Sequence, residues 1–398
     1  MKHLFNTLML GCILGAGFVG CSEDDSEEVV PEVPTMEEIT GIPSDDTAGE
    51  NPEVGESNTN IPNFNYSVEN KDGYTIIRLD LTGIQDPETL EWLRLIGTGS
   101  SEQNIWVSVD DNPKGFTVYN SADEMGQSIK ADLVFLVDNS GSMSAEADSV
   151  AAGISSWAKK LAHSGLDIRF GCVGYGGHVG AQYANPTSKY GITGALNLTT
   201  DENLDAYLNR AYSYGTDRTF GYAGDDADSL EVKVLNSYSV AGGECGVQAL
   251  RFADEHFNFR KGANRIYVNF TDDANYPGGD KEISVDYVKN HWSVSKGTIH
   301  TVLSNDSSYI NNRLDIGEKS WLMSRYTGGT ELYVNQSFSG VSLDDLPVTG
   351  AMQNSYIIRF TNVDEFMDGR EHRITITVLT LDGKVKAEKT FTIIFGIK

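Results

Sequence analysis

The chain has 398 residues, 39% of them apolar and 10% aromatic, which is enough for a sizeable core and more than one domain. Its 57 acidic residues against 30 basic ones leave a formal net charge of −27. A field of that sign repels DNA, RNA and anionic lipid headgroups and favours cations and basic partners, so nucleic acid is excluded as an expected partner.

Taken in chain order, Lys2 precedes a run of apolar and small residues over 4–19, and Phe18-Val19-Gly20-Cys21 stands where a cleavage site is expected. Residues 1–20 read as a secretory signal rather than a spanning helix. The segment resembles a bacterial lipoprotein signal, although Phe18 stands where that pattern usually has Leu. The resemblance implies lipid attachment at Cys21, and Ser22-Glu23-Asp24-Asp25 resembles the export tag of surface lipoproteins in the Bacteroidota. Together they imply a protein anchored in the outer membrane by acyl chains, each buried CH₂ adding about 0.8 kcal/mol, and exposed on the cell surface. An ordinary signal with periplasmic release is the alternative. No later apolar run is long enough to span a membrane. Residues 22–60 hold thirteen acidic side chains and no Lys or Arg, so residues 21–60 are expected to be a disordered, self-repelling linker.

Residues 61–130 carry short alternating segments, "YTIIRLDL", "NIWVSVDD" and "GFTVYN", separated by turn residues. The same texture returns in 341–398 with "SYIIRFTN" and "HRITITVLTLDGKVKAEKTFTIIF", where Asp382-Gly383 marks a hairpin. Neither stretch suffices for a sandwich alone. The expectation is therefore one all-β sandwich whose strands lie on both sides of a central domain, with two separate β modules as the alternative.

Residues 131–340 change rhythm. "DLVFLV" is a continuous apolar run, as a strand covered on both faces requires. A helical segment follows with Val150, Ile154, Trp157, Ala158 and Leu161 on one face. The alternation continues through "DIRFGCVGYG", "ITGALNLT", a helix capped by Thr200, "CGVQALRFADEHF", "NRIYVNF" and "GTIHTVLS". This is the pattern of a doubly wound, mostly parallel α/β sheet, whose ligands sit beyond the carboxyl ends of the strands. Cys172 and Cys245 read as small buried side chains, though an exported chain permits a disulfide.

Three loops carry oxygen donors toward that end of the sheet. Asp138, Ser140 and Ser142 follow the first apolar strand at alternate positions, with Gly141 expected to let the backbone turn. Asp272 ends another strand, beside Asp273, and Glu244 follows Gly242-Gly243 ahead of a helix. Hard oxygens converging on one point suit Mg²⁺, with Mn²⁺ or Ca²⁺ as alternatives. The competing reading is a loop in which Ser140 and Ser142 cap the following helix.

The run Asp138-x-Ser140-x-Ser142 after an apolar strand, the Gly-Gly turn before a helix and the strand-end Asp272 resemble the von Willebrand factor type A domain, over about 200 residues. The resemblance implies a metal-ion-dependent adhesion site. Ser140 and Ser142 would coordinate the divalent cation directly, Asp138 and Asp272 through bound water, and an open position would accept a carboxylate from a protein or extracellular-matrix ligand. Glu244 stands where the family has Thr, so the site gains a carboxylate there or is altered. The function implied is a cell-surface adhesion or interaction module. The alternative is a structural or assembly subunit of an envelope complex without metal-dependent binding.

The segment 213–233 reads as a long loop with exposed aromatics, its Asp225, Asp226 and Asp228 solvated and without EF-hand spacing. No P-loop, His-Glu-x-x-His, Cys-x-x-Cys or Gly-x-Ser-x-Gly occurs, no Gly-x-Gly-x-x-Gly opens the first helix of the central domain, and the seven histidines are scattered. A binding protein, not an enzyme, is expected.

Overall fold

Alternation of apolar and polar side chains builds the antiparallel part of the molecule. β1 (Phe64–Lys71) and β2 (Tyr74–Leu81) form a hairpin whose two turn residues, Asp72 and Gly73, have φ of 51° and 91°, as a two-residue turn requires. Ile77, Leu79 and Leu81 of β2 are fully buried. The chain continues through β3 (Ile105–Val109), β4 (Asn112–Pro113) and β5 (Phe116–Asn120) into β6 (Lys130–Asp138), β7 (Asp167–Tyr175), β8 (Ile192–Thr199) and β9 (Gly221–Ala223). β10 (Ala263–Thr271), β11 (Thr298–Leu303) and β12 (Glu331–Tyr333) follow, then β13 (Tyr356–Phe360), β14 (His372–Leu379) and β15 (Lys386–Ile393). This computed structural model describes residues 34–121, 130–163, 166–176, 191–210, 219–237, 243–304, 317–335 and 347–396. Residues 1–20 and Cys21 lie outside them, as does position 340, the expected end of the central domain.

Two four-stranded antiparallel sheets have the orders β1-β2-β13-β5 and β15-β14-β3-β4, so each combines strands from before and after the central part. One apolar cluster draws on both sheets, with Ile77, Leu79, Val107, Ile358, Ile374 and Ile376 all 0–1% exposed. Residues 34–60 depart from the expected disordered linker. A short helix α1 (Met36–Thr40) leads into a stretch that buries Ile42, Ala48 and Val54. Asp45 accepts bonds from Lys114 Nζ at 3.1 Å and the Gly115 amide at 2.9 Å, and the Asn58 amide donates to the Lys386 carbonyl of β15 while the Lys386 amide donates to Asn58 Oδ1. Apart from Asp45, the acidic side chains of this stretch face water while a few apolar residues and the backbone pair with the sheets; average composition hides that division.

The seven-stranded central sheet has the order β12-β11-β10-β6-β7-β8-β9, parallel throughout except between β7 and β8. Both faces are covered. Leu133, Phe135 and Val137 of β6 pack with α2 (Ala147–Ala162) and α3 (Asp201–Leu208), and Val134 and Leu136 with α5 (Gly246–His256) and α6 (Val285–His291) on the other face. Val150, Ile154, Trp157, Ala158 and Leu161 of α2 are all buried, as their spacing predicts, and Thr200 caps α3 by accepting from the Asn203 amide. Cys172 and Cys245 are buried free thiols in different apolar clusters.

Two boundaries move. Within 213–233, expected as loop, Gly221–Ala223 adds β9 to the sheet and α4 (Ala227–Ser237) begins; Asp226 accepts from Asn197 Nδ2 at 2.6 Å, while residues 211–218 lie outside the described set. After α7 (Leu322–Thr327), the helix α8 (Pro347–Gln353) sits inside the expected C-terminal β part, but it packs on the central one: Met352 joins the α2 cluster and Trp157 Nε1 donates to Thr349 Oγ1 at 2.6 Å. The β texture resumes only at Tyr356.

Candidate functional site at the carboxyl end of the central sheet

Because β6, β7 and β10 are parallel neighbours, their last residues share one edge: Asp138 pairs with Tyr175, and Val137 with Phe270. Asp138 and Thr271 therefore meet. Thr271 Oγ1 donates to Asp138 Oδ2 at 2.8 Å, and the Ser140 amide donates to Oδ1 at 2.8 Å. Asn139 turns away and is held by Thr193 at 2.8 Å and Thr219 at 2.6 Å, which leaves Ser140 and Ser142 on the side of Asp138.

The two serine hydroxyls lie 3.0 Å apart, and Ser142 Oγ donates to Asp272 Oδ1 at 3.1 Å. Neither hydroxyl serves as a cap: Ser140 holds the N-cap position of the turn Gly141–Ala145 without a side-chain cap bond, and α2 starts from Glu146, also without one. Ser140 and Asp272 are 3% and 7% exposed, whereas Ser142 is open to solvent. The cluster is thus recessed, with one hydroxyl at its mouth.

Glu244 comes near from the loop before α5. Its backbone carbonyl accepts from the Tyr276 amide at 2.8 Å, and Gly176, just past β7, separates its side chain from Asp138. A Cβ on Gly176 would lie 2.7 Å from Asp138 Oδ1 and 3.2 Å from Glu244 Cγ, and its φ is +82°. Gly141, by contrast, has an ordinary φ and open space around it, so the required glycine is the one on the neighbouring strand. Burial pushes the Asp138 carboxyl well above the usual range, and the negative charges of Glu244 and Asp272 push it further. Asp273 is turned aside, its Oδ1 accepting from the Ala274 amide at 2.7 Å and the Tyr276 hydroxyl at 3.0 Å.

The spacings suit a small hard cation. Adjacent oxygens around an octahedral Mg²⁺ at about 2.0–2.1 Å are about 2.9 Å apart, close to the 3.0 and 3.1 Å found here. Among the described residues no three His, Cys, Asp or Glu side chains form a metal-holding group by themselves; the arrangement depends on its two hydroxyls.

Sequence reasoning passed over three participants. Thr271 holds Asp138, and its hydroxyl at a strand end beside Asp272 was a usable signal. Gly176 is indistinguishable in the sequence from other loop glycines. Glu146, read as part of a helical segment, is 2% exposed and its Oε2 has no hydrogen-bond partner. Burial raises its carboxyl to about 7, with a Ser304 hydrogen bond opposing and the Asp272 charge adding to the rise.

No protein-family model matches the chain, and no curated protein matches it. Among solved structures, it is similar to BatB from Bacteroides thetaiotaomicron at 14% identity, covering 52% of this chain and 92% of that one with a TM-score of 0.31. It is also similar to the pilus adhesin SpaC from Lactobacillus rhamnosus GG in its open conformation, at 11% identity over 87% of this chain and 49% of that one, TM-score 0.34. A third likeness is to the manganese-loaded TRAP protein of Plasmodium vivax, at 12% identity over 72% of this chain and 98% of that one, TM-score 0.28. Overlaps of this size are too loose to carry an argument about the site, which rests on its own geometry.

Proposed function

We propose that this chain is a surface-displayed lipoprotein, attached through Cys21 to the outer membrane, whose central part is a von Willebrand factor type A domain set between the strands of a β-sandwich. The sharing of both antiparallel sheets by strands from the two ends of the chain supports the insertion. The function is binding, not catalysis: a divalent cation, Mg²⁺ first, held directly by Ser140 and Ser142 and through water by Asp138 and Asp272, with Glu244 adding charge from the opposite side. A cation bound there offers an open position to a carboxylate of a protein or matrix partner. The observation that carries this reading is the run of oxygens Ser140–Ser142–Asp272 at 3.0 and 3.1 Å, recessed at the end of the sheet.

Calorimetric titration of the protein with Mg²⁺ and Mn²⁺ tests it. One-site binding that disappears in Ser142→Ala is expected, and absence of binding by the unaltered protein ends the reading. For the partner, a pull-down from intact cells with and without EDTA, repeated with Asp138→Ala, is expected to lose its captured protein in both treatments. Capture that survives both identifies an envelope-assembly subunit instead. Labelled acyl chains are expected on the full chain and absent from Cys21→Ala.

A further inference from the structure

We infer that Glu146 is an outer carboxylate of the same site, a positioning residue that accepts a hydrogen bond from a water on the bound cation. This inference rests on the cation-binding reading above.

The turn Gly141–Ala145 carries Ser142, and Glu146 closes it, its amide donating to the Met143 carbonyl at 2.9 Å. The side chain is buried and lies toward the end of β11: the Ser304 hydroxyl donates to the Sδ of Met143 at 3.9 Å, and the Ser304 amide donates to the Thr271 carbonyl at 3.0 Å, one residue before Asp272. Glu146 therefore stands on the β11 side of the site, as Glu244 stands on the β7 side. Its Oε2 is buried and makes no hydrogen bond. A sealed carboxylate oxygen without a donor is costly. Asp138, by comparison, has a donor on each oxygen. A cation with its retained waters supplies the missing donor, since Mg²⁺ keeps several waters when bound by few protein ligands, and residues that hold such waters set both their orientation and the affinity.

The test is titration of the full chain with Mn²⁺ alone, with melting curves recorded in EDTA. Glu146→Gln keeps the size and burial but removes the charge. The expected result is an affinity weaker by on the order of tenfold, with the EDTA melting temperature no lower than that of the unaltered protein. Glu146→Asp keeps the charge and retracts it by one methylene, and is expected to bind between the two. Equal Mn²⁺ affinity in all three proteins overturns the inference while leaving the cation site intact. A Gln variant that melts lower in EDTA and binds Mn²⁺ unchanged assigns Glu146 to folding alone and also overturns it. Should the Gln variant not fold, the Asp variant decides: weaker binding supports the role and unchanged binding refutes it. Absence of Mn²⁺ binding by the unaltered protein removes both this inference and the reading beneath it.

Discussion

The two ends of β6 each bury an aspartate, and they treat it in opposite ways. At the start of the strand Asp132, 0% exposed, receives the Arg260 guanidinium at 2.7 Å and the Arg260 amide at 2.7 Å, and the same guanidinium reaches Asp167. At the finish Asp138, 2% exposed, is held by a hydroxyl and a backbone amide, with further carboxylates close by. The first arrangement neutralises a buried charge with a partner of opposite sign. The second gathers negative charge without a neutralising side chain on Asp138, which folding alone does not call for. The contrast separates an edge of the sheet whose buried carboxylate is paired with a cation of the chain from the edge proposed to bind one from solution.

The largest effect that sharpens this contrast is at the structural edge. Arg260→Ala leaves Asp132 buried without its cation and is expected to cost about 3–5 kcal/mol, read as a shifted urea midpoint; a loss under 1 kcal/mol would erase the distinction between the edges. At the other edge, Asp138→Asn is expected to leave stability in EDTA unchanged or raised while abolishing stabilisation by Mg²⁺. In the unaltered protein a hundredfold excess of cation over Kd adds about 2.7 kcal/mol, visible as a higher melting temperature that EDTA reverses. Smaller again, Gly176→Ala forces a Cβ into a left-handed backbone position against Asp138 and is expected to cost about 1–3 kcal/mol, together with weaker cation binding. Gly141→Ala, at open ordinary backbone, should do neither.

The smallest effect lies in the antiparallel part, where charges are paired as at Asp132. His372 Nδ1 lies 2.7 Å from Asp110 Oδ2 and Nε2 lies 3.0 Å from Asp368 Oδ1. Burial opposes its charge, but the bonds to the two carboxylates outweigh it, so its pKa is raised above 6.5. A raised folded-state pKa means the stabilisation is full below about 6.5 and is lost as pH rises through the folded value. The melting temperature of the unaltered protein is thus expected to decline over that interval, and that of His372→Gln to decline less. Parallel profiles would show that the pair does not titrate as a clamp.

Several of these features were legible before any coordinates. The strand ending in Asp138, the face of α2 and the cap at Thr200 follow from local periodicity and side-chain chemistry, and they stand where the residues put them. Residues 34–60 of the expected linker did not follow that logic. The linker's thirteen acidic residues argued for disorder, yet Ile42, Ala48 and Val54 find apolar surface made by strands distant in sequence. Helix α8, within a stretch expected to be β, was not foreseen for the same reason: Thr349 and Met352 meet Trp157 and the α2 cluster only across the fold.

By itself the sequence determined the excess negative charge, a sum over the chain, and the α/β and β textures, because these depend on residues within a turn or a strand of one another. Tertiary structure alone decided that Thr271 anchors Asp138, that Gly176 rather than Gly141 must be glycine, and that Glu146 is sealed in beside Ser304. Those relations join β6 to β7, β10 and β11, and parallel pairing brings such residues together across long stretches of chain that carry no local trace of the contact.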